Sequence, residues 1–305
     1  MPDLDLSGRV AIVTGAGSGL GRAEAFALAS AGASVVVNDV VPPDDVPPGA
    51  VFVPGDVSSS DVSRSLISTA ESLGGLDIVV NNAGVVRDRM LFTMSDEEWD
   101  LVVRVHLRGH FLLCRDAGSL WRSNSKAAGA PVYGRLINTT SEAWFLGAVA
   151  QPNYAAAKAG IVSLTVAAAR GLARYGVRAN AICPRARTAM TSPVYGPAPT
   201  SGVDPLDVSH ITPLVVYLAA PASSSVNGQV FFVHGGMVAV LAPPSVEAQF
   251  DAAGASWADG ELAESLGEYF ASHGPDDVFT GRAISAVQRR AEPAADRGAS
   301  PVTGG

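Results

Sequence analysis

Three polar residues in the middle of the chain have the types and spacing needed for acid–base chemistry on an oxygen atom: Ser141, Tyr154 and Lys158. Tyr154 and Lys158 are four residues apart, so a helix places both side chains on one face. Ser141 follows the apolar run 136–140, which predicts that it stands at the end of a strand. A hydroxyl, a phenol and an ammonium would then converge where a carbonyl oxygen can bind.

The pairing of the tyrosine with the lysine has a chemical rationale. A free tyrosine has a pKa of about 10, and a nearby lysine cation favours the phenolate and lowers that pKa. Because an acid–base catalyst works best when it titrates near the working pH, Lys158 is expected to tune Tyr154 for proton transfer. Ser141 would hold the substrate oxygen beside Tyr154. The alternative is a helix with a packed Tyr and an exposed Lys, since Tyr-x-x-x-Lys also occurs by chance.

The N-terminal region predicts a nucleotide site. The apolar run 9–14 indicates a strand, the glycine-rich segment 15–21 a tight turn, and the Ala- and Leu-rich run 22–31 a helix. Glycines allow close backbone approach, and a helix N-terminus offers unpaired N–H groups to a pyrophosphate. A glycine-rich loop without a ligand is the alternative. The dinucleotide contacts expected in this segment are Gly15, Gly17, Ser18, Gly19, Leu20 and Gly21.

Asp39 is the candidate determinant of cofactor choice. It ends the second predicted strand, 34–38, eighteen residues after Gly21. A carboxylate there can accept hydrogen bonds from the adenosine ribose hydroxyls and would repel a 2′-phosphate, so NAD is predicted over NADP. Ser18 and Val40 agree with this choice, because they are uncharged where an Arg or Lys could hold that phosphate. The alternative is an Asp that only caps a turn.

Together the motifs resemble the short-chain dehydrogenase/reductase family over roughly residues 6 to 236. The resemblance is carried in order by the loop 14–21, by Asp56-Val57 after a third strand, by Asn81-Asn82-Ala83-Gly84 after the apolar run 76–80, and by Ser141, Tyr154 and Lys158.

The resemblance implies an α/β fold, a Rossmann-like doubly wound parallel sheet with helices on both faces, and a homodimer or homotetramer. It also implies that Tyr154 is the general acid/base, that Ser141 positions the carbonyl, and that Lys158 additionally binds the nicotinamide ribose. The further cofactor contacts that it implies are Asp56, Val57, Asn82, Ala83, Gly84, Tyr154, Lys158, Pro184 and Thr188.

Two departures from the family pattern resemble the hydroxyacyl-CoA dehydrogenase part of peroxisomal-type multifunctional β-oxidation enzymes. His106 stands where the family has an Asn whose backbone carbonyl holds a relay water; it is either catalytic or a buried His satisfied by one hydrogen bond. Arg185 replaces the usual Gly after Pro184. Arg185 or Arg187 is expected either to meet the phosphates of a CoA thioester or to pair with a local carboxylate. His234, where the family typically has Asp, is expected to be structural.

Composition narrows the classes of partner. A formal net charge of −8 and a pI near 5.1 argue against a nucleic-acid partner. No apolar run is judged to reach the roughly 18 to 20 residues of a membrane span, and no signal peptide is recognised, so a cytoplasmic protein is predicted. Cys114 and Cys183 are expected to be reduced. No spacing typical of metal ligands is found, so no metal is predicted.

The alternation of strand-like and helix-like runs predicts a dinucleotide-binding catalytic domain over residues 1–236, followed by an extension over 237–305. The Pro-rich segment 186–206 is predicted to be a lid over the substrate, with an inert surface loop as the alternative. Helices are predicted at 61–73, 95–121, 152–175 and 204–219; the second and third, around Gly109 and Ala167, are a candidate four-helix dimer contact.

Two further segments leave alternatives open. Trp144, Phe145 and Leu146 either line an apolar pocket or belong to the core. In the extension, a helix is predicted over 258–272 and disorder over 288–305. The active-site cleft and a neighbouring subunit are the two surfaces that the extension is expected to cover as alternatives.

The predicted function is an NAD-dependent oxidoreductase that interconverts a secondary alcohol and a ketone. A 3-hydroxyacyl-CoA is the narrower expectation, with a sterol-derived side chain as one option for its acyl group. A hydroxysteroid or other secondary-alcohol dehydrogenase is the alternative within this class. Reduction of ketoacyl groups on a carrier protein generally uses NADPH, which Asp39 disfavours. A protein that binds NAD without turnover is the alternative from another class, and the intact Ser141, Tyr154 and Lys158 argue against it.

Overall fold

Short runs rich in Val, Ile and Ala form the strands, because such side chains pack well on a pleated surface that is buried on both faces. In the computed structural model, which describes residues 3–274 and 278–279, these runs assemble into one eight-stranded sheet. The strands are β1 (Val10–Thr14), β2 (Ser34–Asp39), β3 (Val51–Pro54), β4 (Ile78–Asn81), β5 (Gly134–Thr139), β6 (Val177–Pro184), β7 (Val230–His234) and β8 (Met237–Val240).

The strand order is β3-β2-β1-β4-β5-β6-β7-β8. The first seven strands are parallel, and β8 pairs antiparallel with β7. The order reverses between β1 and β4, and in open α/β sheets ligands bind in the crevice that such a reversal opens at the carboxyl ends of the strands. The Rossmann-like doubly wound fold predicted from the sequence is confirmed, with β8 as an unpredicted addition.

Helices cover both faces of the sheet. Within the strands the side chains alternate, so that Ala11 and Val13 of β1 face one layer while Val10 and Ile12 face the other. The helices are α1 (Gly19–Ser30), α2 (Ser60–Ser72), α3 (Asp96–Val103), α4 (Gly109–Ala128), α5 (Ala143–Leu146), α6 (Pro152–Leu172), α7 (Ser192–Tyr195), α8 (Thr212–Ala219) and α9 (Glu261–Phe270).

Two predicted helices differ from the observed ones. The predicted helix 95–121 is two helices, α3 and α4, joined by the π-helical turn Arg104–Arg108, and α4 continues to Ala128. The predicted helix 204–219 begins later, at Thr212, after the 3₁₀ turn Val208–His210. Pro213 lies in the first turn of α8, where proline is tolerated because its missing N–H would have no partner there.

A third, small cluster lies between α5 and the sheet edge. Phe145 is buried there with Cys183 and Phe232, and Trp144 packs against them. The structure therefore assigns Trp144 and Phe145 to packing, while Leu146 is 40% exposed.

The extension after β8 adds α9, whose Tyr269 ring contacts Phe250 and His273. The predicted helix there is confirmed within a few residues at each end. The segment 288–305, predicted to be disordered, lies outside the described residues.

One described helix, Pro152–Tyr175 including its final 3₁₀ turn, is long and apolar enough to cross a membrane by length and composition alone. The prediction that no apolar run is long enough to span a membrane is therefore wrong. In the fold this helix packs against β6 and carries Tyr154 and Lys158, as a sheet-covering helix does. Its length and composition by themselves therefore say little about a membrane.

Candidate active site

A cleft of about 600 Å³ opens at the carboxyl ends of the strands, where the strand order reverses. This volume lies in the range of cofactor and substrate sites. Most of the residues predicted from the sequence line it: Gly15, Ser18, Gly19, Leu20, Asp39, Asp56, Val57, Asn82, Ala83, Gly84, His106, Tyr154, Lys158, Pro184 and Thr188.

The glycine-rich loop is fastened to the segment after β4. The hydroxyl of Thr14 accepts hydrogen bonds from the backbone N–H groups of Asn82 (3.1 Å) and Ala83 (3.2 Å), and the Asn82 amide donates to the carbonyl oxygen of Gly15 at 3.2 Å. Gly15 has φ +63°, and a Cβ there would lie 2.7 Å from the Cα of Ala83. At Gly21 a Cβ would collide with the Gly15 carbonyl. Glycine at these two positions therefore lets the loop close against its neighbour.

Asp39 lines the cleft and also hydrogen-bonds the glycine-rich loop. Its Oδ2 accepts a hydrogen bond from the Gly17 N–H at 2.9 Å, and its Oδ1 accepts one from the Val40 N–H at 2.7 Å. Asp39 and Asp56 are both at the cleft, where Lys158 is the only lining residue with a basic amino or guanidino group among the described residues. The adenosine end, as assigned from the sequence, is therefore acidic.

Tyr154 and Lys158 lie on α6 as the spacing predicts, and Ser141 lies in the loop after β5. The Ser141 hydroxyl hydrogen-bonds Tyr154. Lys158 is 2% exposed; its Nζ donates to the carbonyl oxygen of Thr139 at 2.6 Å and lies 5.3 Å from the centre of the Tyr154 ring. The three residues thus meet at the end of β5. The alternative of an exposed Lys is excluded.

Burial, and not the lysine, dominates the ionisation of this group. Desolvation raises the pKa of Tyr154 to about 12, against the opposing effect of the Ser141 hydrogen bond. Desolvation likewise lowers the pKa of Lys158 to about 7. The lowered pKa of Tyr154 expected from the sequence is therefore wrong for this structure, because the phenol is taken out of water and the lysine is directed at Thr139.

His106 is a buried residue that contacts both the loop after β4 and the tyrosine. It lies in the π-helical turn, and its Nε2 is 3.0 Å from the backbone nitrogen and 2.7 Å from the carbonyl oxygen of Val85. Its ring stands at 90° to that of Tyr154, with centroids 5.1 Å apart, and packs against Gly84. Burial holds the pKa of His106 well below its usual value. His106 is therefore neutral and supports the wall of the site.

The two arginines after β6 have carboxylate partners. Arg185 forms a two-bonded ion pair with Glu142, and Arg187 pairs with Asp204 at 3.0 Å. Of the two roles considered for them, the structure shows the local ion pair. His234, the other departure, is half-buried at the end of β7, and burial lowers its pKa.

Three predicted residues are not among the residues that line the cleft: Ser141, whose hydroxyl is hydrogen-bonded to Tyr154; Gly17, whose N–H donates to Asp39; and Gly21, which packs against Gly15. Sequence reasoning missed several lining residues that adjoin the motifs in the chain, and adjacency was the available signal for them. They include Asn38, Gly55, Val85, Thr139 and Thr140, with Leu101 and Val105 from α3 and the π-helical turn. Val40, named from the sequence at the ribose end, and Ala186, Ala189, Met190 and Thr191, from the segment predicted to be a lid, also line the cleft. No group of three or more His, Cys, Asp or Glu side chains suited to a metal is found within the described part of the chain.

Comparison with known proteins agrees with this geometry. The family model described as short chain dehydrogenase matches residues 9–195. A hydroxyacyl-CoA dehydrogenase of Mycobacterium tuberculosis, ChsB1, is 54% identical over 294 residues, which cover 90% of this chain and 93% of that protein.

Two further matches extend the comparison. The mouse peroxisomal multifunctional enzyme type 2 is 37% identical over 255 residues, which cover 78% of this chain and 33% of that longer protein. The crystal structure of a short chain dehydrogenase from Mycobacterium avium superposes with a TM-score of 0.79 at 42% identity, covering 90% of this chain and 99% of that one. The chain therefore belongs to the short-chain dehydrogenase family of oxidoreductases.

Proposed function

We propose that this protein is an NAD-dependent dehydrogenase that interconverts the hydroxyl and keto forms of a 3-hydroxyacyl-CoA. The observation that carries the chemistry is the meeting of Ser141, Tyr154 and Lys158 at the cleft. The substrate class is supported by similarity to a relative named for it, the hydroxyacyl-CoA dehydrogenase that is 54% identical over 90% of this chain.

The residues of the cleft fit a nicotinamide dinucleotide, which dehydrogenases of this family generally use. Gly15 and Gly21 let the loop pack closely against Asn82 and Ala83, and the N-terminus of α1, which begins in this loop, offers backbone N–H groups to a pyrophosphate. Asp39 would hold the adenosine ribose, and Lys158 and Thr188 the nicotinamide end. When bound, the dinucleotide supplies the hydride acceptor or donor.

NAD rather than NADP is supported by charge. Asp39 and Asp56 line the cleft, and Lys158, the one lysine or arginine among the described lining residues, lies at the end assigned to the nicotinamide. A 2′-phosphate would therefore add negative charge beside these carboxylates. The described lining residues at this end include no arginine or lysine that could pair with it.

In the reducing direction Tyr154 gives its proton to the substrate carbonyl oxygen, which Ser141 holds by a hydrogen bond. With a pKa of about 12, Tyr154 carries that proton at neutral pH. In the oxidising direction Tyr154 takes the hydroxyl proton, which requires the phenolate. Because burial raises the pKa of Tyr154 to about 12, the phenolate becomes more populated as the pH rises, so oxidation is expected to be faster at alkaline pH.

The segment 186–206 is proposed to act as a lid. Thr188, Ala189, Met190 and Thr191 from its beginning already line the cleft. The proposed homo-oligomer is supported by a partly exposed apolar face on α4 and α6, where Phe111 is 43% and Val166 37% exposed. A sterol-derived acyl chain stays a prediction.

The test is NADH formation, followed by absorbance, against 3-hydroxyacyl-CoA thioesters, hydroxysteroids and simple secondary alcohols, with NADP beside NAD. Tyr154→Phe should lower turnover by roughly 100-fold or more, the scale of acid–base catalysis, with dinucleotide binding retained. Tyr217→Phe, the same change on α8, should leave turnover unchanged. Activity with steroids alone would refute the CoA substrate; full activity in Tyr154→Phe would refute the mechanism.

A further inference from the structure

His110 is a buried titratable residue that the proposed mechanism does not use. It lies in the first turn of α4, one turn after His106, and its side chain is 2% exposed. Its ring faces the backbone carbonyl groups of His106, Asn81 and Thr139. Its Nε2 has no hydrogen-bond partner in the part of the chain that the structure describes.

The protonation state of His110 makes this environment informative. Burial lowers the pKa of His110 to about 3, so the imidazole is neutral and one of its two ring nitrogens is an acceptor. Carbonyl oxygens are acceptors as well, and they cannot satisfy that nitrogen. A buried polar atom left without a partner destabilises the folded protein. The site therefore requires a donor that the ring and the carbonyl groups do not supply.

Lys158 is the nearby source of donors. An ammonium carries three N–H donors, and one is used on the carbonyl oxygen of Thr139 at 2.6 Å, a group that also faces His110. The titratable groups around the pair are His106 on the π-helical turn, Tyr154 on α6 and Cys183 on β6. None of these is a carboxylate, so the cation depends on neutral acceptors.

We propose that His110 is a positioning residue for Lys158: its acceptor nitrogen binds the ammonium through one buried water and so keeps the lysine charged and in place beside Tyr154. Such a water would accept from Nζ of Lys158 and donate to the ring nitrogen of His110 and to a carbonyl oxygen that faces the ring, which gives it the two to four polar partners that a buried water needs.

The consequence for catalysis follows from the charge, and it rests on the proposed function. Hydrogen bonds to an ionised group are about twice as strong as neutral ones, so the water and His110 favour the protonated lysine against desolvation. A charged Lys158 in turn favours the phenolate of Tyr154. Loss of the His110 acceptor should therefore raise the pH at which alcohol oxidation becomes fast.

The kinetic test uses three variants of the full chain. His110→Leu removes the acceptor and should move the limb along which kcat/KM for alcohol oxidation rises with pH to higher pH by about one pH unit, the low end of what a neighbouring charge produces. His110→Gln retains an acceptor and should recover at least half of that shift. Leu113→Ala, at a buried apolar position on the same helix, should lower the Tm without moving the limb.

A structural readout makes the test independent of turnover. A high-resolution crystal structure of the unaltered protein should show an ordered water within hydrogen-bond distance of both His110 and Lys158, and His110→Leu should lack it. Dry space at this point, or an unmoved limb in a folded His110→Leu, overturns the inference while the proposed function stands. Absence of any dehydrogenase turnover, with the water present, refutes the proposed function and leaves the positioning of Lys158 intact.

Discussion

The carboxylate of Asp39 accepts a hydrogen bond from the backbone N–H of Gly17 at 2.9 Å, and no side chain fits between the two residues. A Cβ on Gly17 would lie 2.7 Å from Oδ2 of Asp39. The group expected to select the cofactor by its charge therefore also fastens the loop expected to hold the pyrophosphate. Substitutions at Asp39 act on both functions, and their design has to separate them.

Asp39→Asn removes the charge and keeps an acceptor for the Gly17 N–H, whereas Asp39→Ala removes both. We expect Asn to lower the preference for NAD over NADP about tenfold or more, which corresponds to about 1.4 kcal/mol, with little loss in NAD binding. Ala should relax the preference and weaken both cofactors, because the loop is released. Titration with 2′,5′-ADP and 5′-ADP measures the same discrimination without turnover. A preference that is unchanged in both variants would contradict the role of Asp39.

Glu24 predicts a pH-dependent stability. It is fully buried on α1, neither carboxylate oxygen has a hydrogen-bond partner among the described residues, and burial raises its pKa from 4.5 to about 8. Because the folded pKa is the higher one, its contribution to stability is full below about pH 4.5 and is lost as the pH rises to about 8.

Glu24→Gln removes this titration. As the pH rises from 4 to 7, the free energy of unfolding of Glu24→Gln relative to that of the original protein should increase by roughly 3 kcal/mol, at 1.36 kcal/mol per pKa unit. Urea unfolding at several pH values measures the difference. Glu71→Gln, at an exposed position on α2, is the control and should show no such trend. If the free energies of unfolding of Glu24→Gln and the original protein depend on pH in the same way, the Glu24 carboxyl has a hydrogen-bond partner in the folded protein and the prediction is wrong.

His106 is expected to act through structure and not through proton transfer. His106→Ala leaves the Val85 backbone without its partner, so the free energy of unfolding should fall by about 1–3 kcal/mol. The pKa of His106 lies well below its usual value. The pH profile of kcat/KM should therefore have no limb near pH 6.5 that is due to His106, and His106→Asn should remove no such limb. A large loss of kcat at unchanged Tm would instead assign His106 to the chemistry.

Arg185 and Arg187 are expected to hold the segment after β6, since both are paired with carboxylates. Arg187→Ala should lower the Tm. The ratio of kcat/KM for a CoA thioester to that for its N-acetylcysteamine analogue, which lacks the phosphates, should stay unchanged within about threefold, or roughly 0.7 kcal/mol. Asp204→Asn, which breaks the same ion pair but leaves the hydrogen bonds from Arg187 to the carbonyl oxygens of Tyr195 and Gly196, should lower the Tm by a smaller amount. A selective loss with the CoA thioester would restore the phosphate-binding role.

The sequence by itself determined the features that depend on neighbours along the chain. The strand–loop–helix start at Val10–Ser30, the Asn81–Gly84 motif and the i, i+4 pair Tyr154 and Lys158 lie where their patterns predict. Local spacing suffices there, because the direction of a side chain follows from the periodicity of the helix or strand that carries it.

The tertiary structure alone decided what depends on burial and on partners distant in the chain. The carboxylates that pair with Arg185 and Arg187 lie 43 and 17 residues away, and no local pattern indicates them. Likewise, the sequence shows that Lys158 is near Tyr154, but the desolvation that raises one pKa and lowers the other arises only when α6 is packed on the sheet. Solvation is a property of the assembled layers, so it cannot be read from spacing.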